Sequence, residues 1–309
     1  MTESRYAPIT AFVYNRPDKA RKMLESLGKC DLAGDSDLFI YSDGPKNQGA
    51  EKGVRETREY LDRLLQRESF KSVTVVKAEN NKGLAASIIS GVTDVLDKYG
   101  RVIVVEDDLV FSEQFLNYMN TCLDWYGRDR RIWSVSGYTP DLRSAEAYDK
   151  GVYLSYRGSS WGWGTWKDRW DMIDWKVSDY DSFKWDPIEN IRFCFGGNDQ
   201  PSMLRAQMKG KLDSWAIRWC YCQSRNRMYS VAPRYTLVSN EGLDGSGSNS
   251  KTEDMKKLGT GLWNRTEDDW CYDDIKVSYR MAFDFYRKYH LSMWVRIRDK
   301  YRSIIKEIK

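Results

Sequence analysis

Three consecutive acidic residues, Glu106, Asp107 and Asp108, follow the apolar residues 102–105. Adjacent carboxylates repel one another, and at the buried end of a strand they destabilise the fold unless a cation binds there. Mg²⁺ and Mn²⁺ prefer oxygen ligands and combine a few carboxylates with phosphate oxygens and water. The triplet therefore predicts a divalent-cation site that takes a diphosphate. The alternative is that the acids stabilise the start of a helix through its dipole, by under about 1 kcal/mol each.

A single histidine, His290, restricts the chemistry that the chain can perform. A Ser-His-Asp triad and a histidine-rich zinc site are nearly excluded, so acid-base and metal chemistry must fall to carboxylates. The 49 Lys and Arg residues and 45 Asp and Glu residues are mixed along the chain, which argues against nucleic acid as a partner. With no apolar run near the roughly 20 residues of a membrane span and no signal-peptide core, we expect a cytoplasmic protein.

Strand and helix patterns alternate between residues 9 and 105. Short β-branched or apolar runs lie at 9–14, 38–41, 73–77 and 101–105, and helical patterns begin at Pro17 and cover 49–66 and 84–98. This alternation predicts an α/β fold whose mostly parallel central sheet is covered by helices on both faces. Ligands bind outside the carboxyl ends of the strands in such sheets. The polar turns 15–17, 42–45, 80–83 and 106–108 are therefore expected to outline one site.

The second half, from about residue 135, loses this alternation and is rich in aromatic residues, with several of the 13 tryptophans between Trp161 and Trp185. Aromatic faces stack on pyranose rings, which favours sugar binding, but packing in the core is the better interpretation for most of them. The Gly/Ser run 245–249 is expected either to close over a diphosphate or to form an unstructured surface loop.

The C-terminal residues 286–309 carry apolar residues at helical spacing among many Lys and Arg side chains. They predict a basic amphipathic helix. Two alternatives stay open: the helix lies on a membrane surface, or it docks on the domain with its basic face in solvent.

The chain resembles the N-acetylglucosaminyltransferase I family over about residues 7–250. Residues 104–109 and the following Glu113-Gln114-Phe115 are similar to the donor-metal motif of that family. Further motifs occur in the family's order: Tyr14-Asn15-Arg16, Ser42-Asp43, Lys82, Ser160-Trp161-Gly162-Trp163, Leu212-Asp213-Ser214-Trp215 and Arg234 through Val238-Ser239-Asn240. The resemblance implies the Rossmann-like glycosyltransferase-A fold and a bacterial relative of the family.

The resemblance also implies which residues bind a nucleotide-sugar donor. Asp108 would bind the metal, Mn²⁺ or Mg²⁺, while Asp107 would contact the ribose and Glu106 the donor sugar. Arg16 and Asp43 would hold the nucleotide, at its base end. The other residues expected at the nucleotide sugar are Lys82, Trp161 and Asn240.

Asp213 is the implied catalytic base. Direct displacement at the anomeric carbon needs a carboxylate that takes the proton of the acceptor hydroxyl, while a metal neutralises the departing diphosphate. Trp215 is expected to shield Asp213 partially from solvent. Glu241 and Asp171 are the other candidates. The sequence departs from the family at Ser214, where the family has a second acid, and near Ala86, where a nucleotide-contacting histidine has no counterpart.

The implied activity is inverting, metal-dependent transfer of a sugar, with an N-acetylhexosamine as one candidate, from a UDP-sugar to a carbohydrate acceptor. A lipid-linked acceptor, bacterial surface-polysaccharide synthesis and peripheral contact with the inner face of the membrane through residues 286–309 are expected with it. Residues 1–135 would bind the nucleotide sugar, and residues 136–285 of the same domain would bind the acceptor and carry catalysis.

Two other classes of protein are compatible with these residues. A sugar-phosphate nucleotidyltransferase shares the α/β architecture, but such enzymes have a glycine-rich first turn and residues 14–17 contain no glycine. A carbohydrate-binding protein without catalysis would account for the aromatic content. It has little use for a diphosphate-metal site, so the acidic triplet argues against it.

Overall fold

The computed structural model describes residues 5–64, 69–242, 262 and 270–290. Within these ranges ten strands form two sheets. The strands are β1 (Ile9–Val13), β2 (Asp37–Ser42), β3 (Ser72–Lys77), β4 (Arg101–Glu106), β5 (Leu109–Phe111), β6 (Ile132–Ser136), β7 (Val152–Ser155), β8 (Trp163–Trp166), β9 (Tyr229–Pro233) and β10 (Val238–Asn240). Eight of them form the central sheet in the order β3-β2-β1-β4-β8-β6-β9-β7, and β10 pairs with β5 separately.

Helices cover both faces of the central sheet. They are α1 (Pro17–Leu27), α2 (Gln48–Leu64), α3 (Leu84–Tyr99), α4 (Phe115–Tyr126), α5 (Lys167–Trp170), α6 (Tyr180–Phe183), α7 (Pro187–Phe193), α8 (Gln200–Met208), α9 (Trp215–Arg225) and α10 (Tyr279–Lys288). Helices α1, α2 and α4 enclose one hydrophobic cluster with the sheet, and α3 and α9 enclose another on the opposite face. The predicted α/β architecture with a large, mostly parallel sheet is confirmed.

The first half follows the predicted alternation closely. Strand β1 pairs in parallel with β2 and with β4, and β2 pairs in parallel with β3. Residues 102–105 of β4 are completely buried because helices cover both of its sides, which explains why the strand is apolar without alternation. The carboxyl ends of these four strands meet at one edge of the sheet, called here the site edge.

The second half extends the same sheet, which its sequence did not predict. Strand β8 lies antiparallel between β4 and β6, with Trp163 opposite Val104, and β7 is antiparallel to β9. Strand β8 is only four residues long and contains Gly164. So short a run shows no two-residue periodicity, and pairing with β4 rather than local sequence makes it a strand.

Five tryptophans form the core beneath α9. Trp163 stacks on Trp215 with ring centroids 4.9 Å apart and on Trp170 at 5.9 Å, and Trp133 lies 4.6 Å from Trp219. All five are buried. For them the interpretation as core residues is confirmed. Trp215 stacks on Trp163, and Trp163 lies opposite Val104 near the carboxyl end of β4. The start of α9 is therefore held at the site edge.

Helix α10 packs on the far end of the sheet. Its Met281 and Phe285 form a small cluster with Leu142 and Tyr153. The helix begins at Tyr279, seven residues before the helix predicted from residue 286, and ends at Lys288. Residues 291–309 and the Gly/Ser run 245–249 lie outside the described residues. In the part of the chain that the structure describes, no helix has the length and apolarity needed to cross a bilayer.

Candidate active site

The acidic triplet lies where β4 ends and turns into β5. Strand β5 pairs with β10, which brings Asn240 opposite Leu109 and places Glu241 beside Asp108. The Glu241 amide donates a hydrogen bond to the Asp108 carbonyl at 2.8 Å, and Asn240 Nδ2 donates to Asp108 Oδ1 at 3.3 Å. The Asn240 side-chain oxygen is fixed in turn by the Gly242 amide at 2.7 Å. The structure thus places Asn240 next to Asp108, and the contact of Asn240 with a nucleotide sugar stays a prediction.

Arg16 pairs with two of the three acids. It follows β1, the strand next to β4, and its guanidinium donates to both Asp107 and Asp108, with Nη2 lying 3.1 Å from Asp108 Oδ2. Asp107 is almost completely buried, whereas the Asp108 carboxylate is 16% exposed. The Nη1 atom of Arg16 is buried and has no hydrogen-bond partner among the described residues. Arg16 therefore acts as the internal counter-ion of the triplet. Its Nη1 remains available to donate a hydrogen bond that no described residue accepts.

One arginine does not balance three carboxylates. Burial, followed by the charges of Asp108 and Asp107, raises the pKa of Glu106 to about 8, and Arg16 offsets this only in part. Burial also raises the pKa of Asp107, although the Arg16 charge opposes the shift. Burial is the largest cause of both shifts, and the neighbouring carboxylates add to them. A bound cation would stabilise the charged forms of these carboxyl groups, which burial disfavours.

The residues at this edge fit a divalent ion that is shared with a ligand. Among the described residues no group of three His, Cys, Asp or Glu side chains could hold a metal by itself. Asp108 and Glu106 are both partly exposed, but the raised pKa of Glu106 favours its neutral form, so the protein would supply one strong ligand, Asp108. Mg²⁺ and Mn²⁺ commonly complete such a shell with phosphate oxygens and water. The donor set therefore suits a metal-diphosphate complex better than a free ion.

Asp43 organises the turn after β2 and the start of α3. Its Oδ1 accepts hydrogen bonds from the amides of Gly44 and Lys82, and its Oδ2 accepts from the Gly83 amide and from Asn81 Nδ2, all at 2.9 Å. Four donors from the chain itself thus occupy this carboxylate. A contact of Asp43 with the nucleotide stays a prediction, and in the structure Asp43 holds the turn after β2 against the residues that precede α3.

Arg58 supports the same turn and was not found by sequence reasoning. Its Nη2 donates to the carbonyls of Ala78, Asp43 and Ser42 at 2.6, 3.2 and 3.3 Å. Arg58 lies within the charged helix α2, where nothing in the sequence distinguishes it from its neighbours. Only the fold shows that it connects the ends of β2 and β3.

Lys82 and Trp161 both lie at the site edge. Lys82 precedes α3 and its side chain is exposed, so it is free to reach toward an anion. Trp161 is half-buried and meets the edge of Tyr138 at 4.4 Å between ring centroids. It stands two residues before Trp163, which faces Val104, and therefore continues β8 toward the end of β4. The contacts of Lys82 and Trp161 with a nucleotide sugar stay predictions.

Asp213 lies just before α9, with Ser214 capping the helix through a 3.3 Å hydrogen bond from the Ile217 amide. The Asp213 carboxylate is 72% exposed and accepts a hydrogen bond from Arg218 Nη2 at 3.3 Å. The expectation that Trp215 would shield Asp213 from solvent is wrong, because Trp215 turns inward onto Trp163. The position of Asp213 at the site edge still leaves it free to meet an acceptor.

The two alternative bases differ in position. Glu241 lies beside Asp108, and its carboxylate is 3.0 Å from Lys22 Nζ. Asp171 follows α5, where the Lys167 amide donates to the Gly100 carbonyl at the amino end of β4. Asp171 therefore lies at the opposite edge of the sheet from the triplet. Of the two, only Glu241 is close enough to take part in chemistry there.

Replacing Arg16 should destabilise the protein and make it more responsive to metal. We expect Arg16→Ala to lower the free energy of unfolding by about 3 kcal/mol, because the buried Asp107 loses its counter-ion. Mn²⁺ should then raise the melting temperature of the variant more than that of the wild type, since the ion supplies the missing charge. The matched control is Arg21→Ala, an exposed arginine on α1, the helix that begins directly after Arg16. Equal Mn²⁺ responses in wild type and variant would contradict the counter-ion role.

A methyl group at Gly242 should disturb the Asp108 carboxylate. A Cβ at Gly242 would stand 2.3 Å from Asp108 Oδ2, and Arg16 and Asn240 hold that carboxylate in place. We expect Gly242→Ala to weaken Mn²⁺-dependent nucleotide binding about tenfold in calorimetric titrations, because small misplacements of a ligating group are costly. Gly34→Ala, which meets no atom within 4 Å, should bind as the wild type does. Unchanged affinity in Gly242→Ala would show that Asp108 is not a ligand.

Comparisons with known proteins give no family assignment. No family model matches the chain. No curated protein matches it either. The resemblance to the N-acetylglucosaminyltransferase I family therefore stays a prediction.

Three solved structures show a partial likeness. One is the crystal structure of S. aureus TarS, with a TM-score of 0.31, 17% identity and coverage of 39% of this chain and 20% of that chain. The crystal structure of S. aureus TarS 1-349 matches with a TM-score of 0.45 and 10% identity, and the match covers 77% of this chain and 62% of that chain. The third is the mannosyltransferase PcManGT from Pyrobaculum calidifontis in complex with GDP-Man and Mn²⁺. It matches with a TM-score of 0.38 and 12% identity, and the match covers 72% of this chain and 71% of that chain. All three TM-scores lie below 0.5, a likeness too low to show a family or a function for this chain.

Proposed function

We propose that the chain is a metal-dependent glycosyltransferase of the glycosyltransferase-A fold. It moves a sugar from a nucleotide-sugar donor, a UDP-sugar, to a carbohydrate acceptor. The observation that carries the proposal is the acidic triplet at the end of β4, whose excess negative charge is balanced only in part by Arg16. A bound divalent ion would supply positive charge there, and a nucleoside diphosphate would complete the coordination shell that the Asp108 carboxylate begins.

In this proposal each residue at the site edge has one task. Asp108 binds the Mn²⁺ or Mg²⁺ ion, which neutralises the departing diphosphate when it is bound. Asn240 orients the Asp108 carboxylate, and Arg16 holds the buried Asp107 in place to contact the ribose. Lys82 faces the donor from the start of α3. These groups position the donor before the acceptor arrives.

Transfer with inversion then needs a base on the acceptor side. Asp213 takes the proton of the acceptor hydroxyl as that oxygen attacks the anomeric carbon and the bond to the diphosphate breaks. Its high exposure allows an acceptor to approach from solvent, and the buried tryptophans behind α9 fix its backbone. Trp161 offers a half-buried aromatic face to a sugar ring. The same proposal includes an N-acetylhexosamine as donor sugar, a lipid-linked acceptor and cytoplasmic surface-polysaccharide synthesis.

A donor panel tests the function. The protein is incubated with uridine, guanosine, cytidine and thymidine diphosphate sugars, with and without Mn²⁺, and released nucleoside diphosphate is measured by mass spectrometry. Melting temperatures are recorded in parallel, since a ligand at about 100 times its dissociation constant adds roughly 2.7 kcal/mol of stability. Mn²⁺-dependent stabilisation and diphosphate release with uridine compounds support the proposal.

Two other outcomes would overturn it. Formation of pyrophosphate from a nucleoside triphosphate and a sugar phosphate would identify a nucleotidyltransferase. Stabilisation by free oligosaccharides, with no effect of any nucleotide, would identify a carbohydrate-binding protein.

A further inference from the structure

Two cysteines far apart in the sequence lie side by side in the structure. Cys122 is in α4, and Cys271 lies in the segment 270–278 that leads into α10. The Cys122 sulfur is 3.8 Å from the carbonyl oxygen of Trp270, and the Cys271 sulfur is 3.9 Å from that of Thr121. Each sulfur therefore contacts the residue directly before the other cysteine, which brings the two thiols together.

The residues on either side hold this segment against α4. The rings of Trp270 and Tyr118 meet edge to face, with 5.4 Å between their centroids, and the Tyr272 amide donates a hydrogen bond to the Tyr126 hydroxyl at 3.1 Å. Positions 118, 122 and 126 are spaced by four and form one stripe of the helix. Residues 270–272 follow this stripe, so the two cysteines meet at its centre.

The two thiols differ in their access to solvent. Cys122 is completely buried, whereas Cys271 is half-buried. Burial raises the pKa of the Cys122 thiol, and a hydrogen bond with the Cys271 thiol raises it further. Since oxidation of cysteine depends on exposure and on thiolate character, an oxidant in solution reaches Cys271 first. Cys122 is then the second thiol, protected from the oxidant but adjacent to the oxidised sulfur.

The two cysteines that are closest in sequence do not meet in this way. Cys220 and Cys222 both lie on α9, two residues apart, so their side chains point in different directions around the helix. The Cys220 sulfur is 3.4 Å from the carbonyl oxygen of Gly158, and the Cys222 sulfur is 3.4 Å from that of Met172. Proximity in the fold, and not spacing in the sequence, therefore identifies the pair that can react.

We propose that Cys122 and Cys271 form a reversible disulfide when the protein is exposed to a peroxide. Hydrogen peroxide transfers one oxygen atom to the Cys271 thiol, which becomes a sulfenic acid, and the rest of the peroxide leaves as water. The Cys122 sulfur then attacks the Cys271 sulfur, the S–O bond breaks, and the hydroxyl group leaves with the Cys122 proton as a second water. A dithiol reverses the bond by exchange. This proposal does not depend on the transferase activity.

The bond would join the C-terminal part of the described fold covalently to α4. All six cysteines are free in the structure, so residues 270–290 are held by noncovalent contacts. They include α10, whose Met281 and Phe285 pack on the far end of the sheet. A link between positions so far apart in the chain restricts the unfolded state strongly. Oxidation should therefore raise the thermal stability of the protein.

Mass spectrometry of the full chain tests the proposal. The protein is treated with an excess of hydrogen peroxide, the remaining thiols are alkylated in denaturant, and the peptides are separated without reduction. We expect a linked peptide that contains Cys122 and Cys271, together with a melting temperature about 5 °C higher than that of the reduced protein. Dithiothreitol should reverse both changes.

Two variants serve as controls. Cys194→Ser replaces another half-buried cysteine and should form the same linked peptide. Cys271→Ser should leave Cys122 as an unmodified thiol, because the buried sulfur loses the partner that the peroxide reaches. Its melting temperature should not rise with peroxide. The melting temperature of each variant in its reduced form confirms that it folds.

Three results would overturn the proposal. Recovery of Cys271 as a thiol or as a sulfinic acid, without a linked peptide, would show that Cys122 does not reach it. Oxidation of Cys122 in Cys271→Ser to the same extent as in the wild type would show that the buried thiol reacts by itself. A linked peptide with a lowered melting temperature would show that the bond does not fit the native fold.

Discussion

Asp108→Asn is expected to reduce sugar transfer about 10³-fold. The substitution keeps the shape of the side chain and its contact with Asn240 but removes the charge that binds the ion. Without the ion, the departing diphosphate is not neutralised, and losing one electrostatic stabiliser of this kind commonly costs two to three powers of ten in turnover, about 3–4 kcal/mol. The measurement is steady-state turnover of the donor identified in the panel, at saturating Mn²⁺.

The control for this variant is Asp171→Asn. Asp171 is an exposed aspartate at the opposite edge of the sheet, paired with Lys167 at 2.8 Å. It should retain wild-type turnover. The free energy of unfolding of Asp108→Asn should not fall, since the triplet loses a surplus negative charge. Turnover within about threefold of the wild type in Asp108→Asn would remove Asp108 from the catalytic site.

Asp213→Asn is expected to reduce turnover about 10³-fold while leaving donor binding unchanged. General-base catalysis contributes roughly 10² to 10⁴-fold to such reactions, and the amide cannot take the proton of the acceptor hydroxyl. Because Asp213 lies before α9 and makes none of the contacts that fix Asp108, the KM for the donor should stay within about twofold of the wild-type value. The two variants therefore separate metal binding from proton transfer.

Glu241→Gln provides the comparison for Asp213→Asn. Glu241 lies beside Asp108 and pairs with Lys22, and we expect its loss to lower turnover by less than about tenfold. Full activity in Asp213→Asn together with an inactive Glu241→Gln would move the base to Glu241. It would also contradict the inverting geometry proposed here, which rests on Asp213.

The first half of the fold could be predicted from the sequence because its signals are local. Residues 9–105 repeat apolar strands and amphipathic helices, and the structure places those elements within a few residues of the predicted ones. The end of β4 was also predictable, since three acids directly after a fully apolar strand place their charges where the buried strand reaches the surface. Because the carboxyl ends of parallel strands lie at one edge of a sheet, the turns that contain Arg16, Asp43 and Asp108 were expected at one edge.

The second half could not be predicted because its structure depends on contacts between distant residues. Strand β8 exists through its pairing with β4 and β6, and the position of α9 depends on the stacking of Trp215 on Trp163. The exposure of Asp213 follows from the same stacking, since Trp215 faces inward and leaves the preceding carboxylate in solvent. Arg58 was missed for a related reason. Its carbonyl partners come from the ends of two strands that only the folded sheet brings together.

Arg16 shows a further limit of sequence reasoning. The resemblance assigned it to the base end of the nucleotide, whereas in the structure its guanidinium is bound to Asp107 and Asp108. A motif that identifies a residue does not specify its partner when several acids lie within reach. Arg16 supplies the counter-ion that the buried Asp107 needs at short range, and its contact with a nucleotide stays a prediction.

Mn²⁺ binding measured by electron paramagnetic resonance, with and without uridine diphosphate, tests the central claim most directly. We predict weak binding of the free ion, since Asp108 alone is a poor site, and at least about tenfold tighter binding in the presence of the diphosphate. The tighter binding should be lost in Asp108→Asn and retained in Asp171→Asn. Equal Mn²⁺ affinity with and without the diphosphate, or full affinity in Asp108→Asn, would contradict a metal-diphosphate site at the acidic triplet.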